Sequence, residues 1–120
     1  MPKHYILKDN QPVEVENSVS GYIAWAIWMA EHTDERQLAL DRLPDGTHIS
    51  TVFLGVDLNY ANSVNPGSSP PILYETMVFM GENALCQCYH RSMTRYATRE
   101  SAYAGHQFML GTVISAQNLN

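Results

Sequence analysis

Apolar and polar residues alternate over 4–8 and again over 13–16, with Asp9-Asn10-Gln11-Pro12 between them, a pattern that predicts an opening β-hairpin. The period then changes. Asn17 or Ser18 stands where an N-cap is needed, and the spacing from there to about His32 predicts a helix. Tyr22, Ile23, Trp25, Ala26, Ile27, Trp28, Met29 and Ala30 leave that helix without a polar stripe. A helix apolar on every side must be covered on every side. One sheet hides one face, so the other is expected to meet further chain or a second molecule.

Alternation returns over 37–43, and Pro44-Asp45-Gly46-Thr47 predicts a tight turn because glycine adopts positive φ at no steric cost. In the run 48–60 that follows, Val52, Leu54, Val56, Leu58 and Tyr60 read as the apolar face. Thr51, Phe53, Gly55, Asp57 and Asn59 read as a mixed one. After a polar loop over 61–69, residues 71–80 predict a strand, Gly81-Glu82-Asn83 a turn, and 85–96 another strand. Thr98 is placed to cap a last helix ending near Gln117, with Ala102, His106, Met109 and Val113 on its core face and Tyr103 and Leu110 alongside. Gly105 and Gly111 each cost about 1 kcal/mol there relative to Ala, which points to close packing against a strand. The order β-β-α-β-β-β-β-α predicts an α+β fold. Its antiparallel sheet has five or six strands and two helices, in one domain over 1–120.

Composition acts mainly by exclusion. A chain of 120 residues buries a core without disulfides or a metal. A net charge of −5, with seven scattered basic residues, argues against direct nucleic-acid binding. The most apolar run, Tyr22 to Ala30, is less than half of the roughly 20 residues a membrane span needs. The first residues lack a secretory apolar core, so no membrane association and a cytoplasmic location are expected. Cys86 and Cys88 would stand ~7 Å apart on one strand face, awkward for a disulfide, which suits free thiols in a reducing compartment.

Candidate chemistry starts from Asp57 and Glu75, carboxylates in otherwise apolar strands, where they are costly unless paired or used. If 48–60 and 71–80 pair as a hairpin, the two fall near one another, and the last helix would lay His106 over them. A histidine between two carboxylates suits acid–base chemistry, with Glu75 and His106 as the catalytic candidates, or one divalent ion. The plainer alternative is a structural Glu75–His106 pair with Asp57 bonded to loop backbone. No G-x-S-x-G occurs and Ser50 lies several residues away, so no nucleophile is assigned. Cys86, Cys88 and His90 span ~13 Å on a straight strand, too far for one zinc, and neither a metal nor another cofactor is expected. Arg91, Arg95 and Arg99 recur every four residues, which suits either an anion grip or a solvated edge. Trp25 and Trp28 are either core or the centre of a symmetric dimer interface.

Ser50-Thr-Val-Phe-Leu-Gly-Val-Asp57, Pro70-Pro-Ile-Leu-Tyr-Glu-Thr-Met-Val-Phe79, Tyr96-Ala-Thr98 and Ala104-Gly-His106 together resemble a family of small, uncharacterised bacteriophage and prophage proteins. The likeness covers about residues 48–106 and, loosely, the aromatic helix. This chain departs from the family pattern in its Ser/Asn/Pro-rich loop, in Met80 where a Gly-Gly turn would begin, and in Ser101 where a capping-box Glu would sit. The resemblance implies a phage or prophage setting in the cytoplasm of a bacterial host, and no activity. With the small size and the aromatic surplus, the expectation is an accessory protein that binds a host protein or protein complex without catalysis. A defence system such as CRISPR is one such target, and a homodimer is a further expectation. The alternative is sequestration of a small nucleotide by Asp57, Asn59, Glu75, Arg91, Arg95, Tyr96 and His106. A minor hydrolase or isomerase using Glu75 and His106 is the third reading.

Overall fold

The computed structural model describes residues 2–80, 84–85 and 93–118. Strands β1 (Tyr5–Lys8) and β2 (Gln11–Glu14) form the opening hairpin, with Lys8 opposite Gln11. The turn is only Asp9-Asn10, both at positive φ (50° and 65°), the left-handed pair a two-residue hairpin requires. Helix α1 (Val19–Glu31) starts at Ser18, whose Oγ accepts the Gly21 amide at 3.0 Å. A one-turn helix α2 (Thr33–Arg36), not foreseen from the pattern, leads into β3 (Gln37–Arg42).

The main sheet is antiparallel. Strand β3 pairs β4 (His48–Phe53), and β4 pairs β5 (Tyr74–Met80). The far edge of β5 is shared by β6 (Ala84–Leu85) and β7 (Met93–Tyr96). A short helix α3 (Tyr60–Val64) sits inside the predicted loop, and α4 (Arg99–Asn118) closes the chain over one sheet face. The α+β architecture and the rough element order follow the pattern in the sequence, but the strands form a two-stranded and a five-stranded sheet. Helices α2 and α3 are added, and β6 and β7 stand where one strand over 85–96 is expected.

The run 48–60 is not one strand. It breaks after Phe53, because Gly55 at φ 77° turns the backbone out of the sheet direction. Residues beyond the break join the two sheets instead: the Tyr5 amide donates to the Gly55 carbonyl, Asp57 to Lys3, and Leu58 to Ile72.

The inner face of the sheet also differs from the expected one. Ile49, Thr51 and Phe53 of β4, with Tyr74, Thr76 and Val78 of β5, are wholly buried. Val52 faces the other side, level with Glu75. Apolar residues occur on both faces of β4, so alternation alone could not choose between them. Thr51 enters the core because a partner on α4 satisfies its hydroxyl. Helix α4 covers this face with the predicted Ala102, His106, Met109 and Val113, all buried, while Tyr103 stays exposed. Two apolar clusters result. Leu7, Phe53, Leu73, Tyr74 and Ala102 form one, and Ile49, Val78, Met109 and Val113 the other.

Candidate functional site

His106 lies under α4, wholly buried. Its Nε2 is 2.7 Å from Asp41 Oδ2, and its Nδ1 is 2.7 Å from Thr51 Oγ1. Thr51 Oγ1 in turn lies 2.5 Å from Thr76 Oγ1. An ionised carboxylate only accepts, so Nε2–H donates to Asp41. In the tautomer with its one proton on Nε2, the ring accepts from Thr51 at Nδ1, and the Thr51 oxygen accepts the Thr76 hydroxyl. The order hydroxyl, imidazole, carboxylate is that of an activated nucleophile. Burial decides otherwise. Thr51, Thr76 and His106 have no solvent exposure, and only Asp41, with its side chain 44% exposed, reaches water. No substrate carbon can approach Thr51, so the chain of bonds fixes α4 on the sheet.

Glu75 does not meet His106, and the expected pair is corrected. Thr76 points toward the helix, so its neighbour Glu75 points to the opposite face of β5. There Arg95 Nε of β7 donates to Glu75 Oε2 at 2.8 Å, directly across the strand pair. Glu75 is 7% exposed, and Arg95 supplies the opposite charge that a buried carboxylate needs.

Asp57 is separated from both by the break in β4. Its Oδ1 accepts the amides of Asn59 (2.8 Å) and Ile72 (3.0 Å), and its Oδ2 accepts Asn62 Nδ2 (2.8 Å). Asn59 Oδ1 caps α3 at the Ala61 amide, while its Nδ2 donates to the Pro70 carbonyl. Asn62 Oδ1 accepts the Ser69 amide. Three side chains thus lock the loop 57–71. It borders a cavity of about 180 Å³ whose wall includes Lys3, Tyr5, Asp57 and Asn62. Burial first, then the charges of Glu14 and Asp57, raise the Tyr5 hydroxyl above its ordinary pKa.

Tyr96 packs its ring against Gly105, and its carbonyl accepts the Leu73 amide. Trp25 and Trp28 lie on the inward side of α1. Trp25 Nε1 donates to the Gly55 carbonyl at 3.0 Å, and Trp28 meets Phe53 edge-on and stacks on His32. The outward side carries Val19, Ile23 and Ile27, exposed by 76%, 57% and 52%. Arg91, Cys86, Cys88, His90 and the turn at 81–83 lie outside the described residues. Among the described residues, no three His, Cys, Asp or Glu side chains gather as for a metal ion, and no helix is long and apolar enough to cross a membrane.

Sequence reasoning missed Asp41, Thr51 and Thr76 as partners of His106. The available signal was a polar residue on each of three successive strands, which matters only once the pairing of those strands is known. No protein-family model, curated protein or solved structure matches the chain.

Proposed function

We propose that this is a phage-encoded accessory protein that binds a host protein without catalysis, using the outward face of α1. The observation that carries the reading is Val19, Ile23 and Ile27, exposed one helical turn apart on a helix whose only charged residue is its last, Glu31. Such a stripe on a small chain needs a cover, and a groove that takes a helix face reads i, i+4, i+8 anchors of this kind. The engagement of His106 and Glu75 in buried structural pairs supports binding over catalysis. The phage setting rests on the sequence resemblance, and a defence complex such as CRISPR is the class of target that setting offers. A second copy of the chain is the other occupant of the same face.

The test compares wild type with Ile23→Glu/Ile27→Glu by affinity purification from host lysate followed by gel filtration. Wild type is expected to retain one host protein at fixed stoichiometry. The double variant should lose it while its Tm moves by less than about 3 °C, as for exposed substitutions. A wild type that stays monomeric and retains nothing overturns the reading. A wild-type dimer that the variant dissolves reassigns the face to self-association.

A further inference from the structure

Two cavities, of about 180 and 210 Å³, adjoin between the opening hairpin and the loop 57–71, with Pro2, Lys3 and Pro66 in the walls of both. Each contains one carboxylate. Asp57 belongs to the first and Glu14 to the second. Asp57 is 7% exposed, and the donors that hold it, two amides and a carboxamide, are all neutral. Its charge is met by these dipoles alone, since among the described residues no cation bonds to it. A carboxylate offers about four acceptor positions, and three are filled here, which leaves one on Oδ2.

Glu14 is met by Lys3 Nζ at 3.5 Å, with both side chains nearly half exposed, a weak and displaceable pair. His4, in the wall of the second cavity, adds Nδ1, which is buried and has no partner among the described residues. With its ring proton on Nε2, that nitrogen is one more acceptor. The walls also carry prolines and the rings of Tyr5 and Tyr22. Lys3 is the one lysine or arginine in either wall, against the two carboxylates, so the lining is net negative. Each cavity is below the ~300 Å³ at which drug-sized ligands begin to fit, so the ligand is small or threadlike.

We propose that this double cleft binds a linear aliphatic diamine or polyamine, with one ammonium at Asp57, the other at Glu14 in place of Lys3, and the methylenes against the prolines and tyrosines. A phosphate would meet two like charges here, which sets this site apart from nucleotide sequestration. A neutral ligand would bring no opposite charge to Asp57 or Glu14. The proposal is independent of the α1 face.

The experiment is isothermal titration of the full chain with α,ω-diaminoalkanes of three to six carbons and with spermidine, against butylamine and AMP. One-site binding of a diamine or spermidine is expected, with butylamine at least tenfold weaker and no heat from AMP. Glu14→Gln should weaken binding at least tenfold at unchanged Tm, and Lys3→Ala should strengthen it by removing the competing ammonium. Asp57→Asn should abolish binding. If that variant loses its fold by circular dichroism, Glu14→Gln and Lys3→Ala decide alone. Absence of diamine binding, a butylamine affinity equal to the diamine's, or indifference to Glu14→Gln overturns the proposal.

Discussion

Nδ1 of His106 sits 2.7 Å from the hydroxyl oxygen of Thr51, and neither residue has any solvent exposure. The two are 55 positions apart in the chain, on the helix and on the central strand it covers. Removing one partner orphans the other in the core. His106→Ala is expected to cost about 3 kcal/mol, from unpaired Thr51 and the cavity left behind. Thr51→Val, by orphaning Nδ1, should cost about 1–3 kcal/mol. Asp41→Asn should cost less than about 1 kcal/mol, because that end is half exposed. Urea denaturation of the three variants checks the order. A stable His106→Ala with altered biological activity would contradict the structural role given to the ring.

Gly105 and Gly111 lie on the same helix and should respond to alanine in opposite directions. A Cβ on Gly105 would fall 2.2 Å from Tyr96 Oη and 2.3 Å from the ring, while a Cβ on Gly111 meets nothing within 4 Å. Gly111→Ala is expected to stabilise by up to about 1 kcal/mol through helix propensity. Gly105→Ala is expected to destabilise by about 1–3 kcal/mol through overpacking, and Tyr96→Leu in the same chain should restore most of the loss. Thermal melts of the four proteins decide it.

Arg95 neutralises Glu75 at the outer face of the sheet. Arg95→Ala leaves a nearly buried carboxylate alone and should cost about 1–3 kcal/mol, at the low end for a pair whose cation is 42% exposed. Adding Glu75→Leu should recover the loss, because the charge is then gone as well. A double-mutant cycle in chemical denaturation measures the coupling.

Burial raises the Tyr74 hydroxyl above its ordinary value near 10, with the Arg99 guanidinium partly opposing the shift. The neutral phenol is the form the fold favours. Its contribution is therefore complete below pH 10 and disappears as pH climbs through the higher folded-state value. Wild type should lose Tm above about pH 10, and Tyr74→Phe should flatten that decline. At pH 7 the same variant should cost less than about 1 kcal/mol, since the Arg99 guanidinium lies near Tyr74 Oη but outside ordinary hydrogen-bond geometry. Melting curves at pH 7, 9 and 11 test both statements.

Local signals in the chain were sufficient for whatever depends on near neighbours. Ser18 and Thr98 at the helix starts, the Gly46 turn and the Ala102–His106–Met109–Val113 stripe all act within a few residues and appear where the sequence places them. The first turn is tighter than the four residues expected, with Gln11 and Pro12 already in β2. Pairings across the chain were not legible. Glu75 was bound to need a partner, but Arg95 and His106 were equally available until β5 showed which face each side chain takes. One glycine at φ 77° moved Asp57 out of the strand and into the loop, a bend that alternation of apolar residues does not encode. Register and face are set by the summed packing of whole strands against a helix, so they exist only in three dimensions.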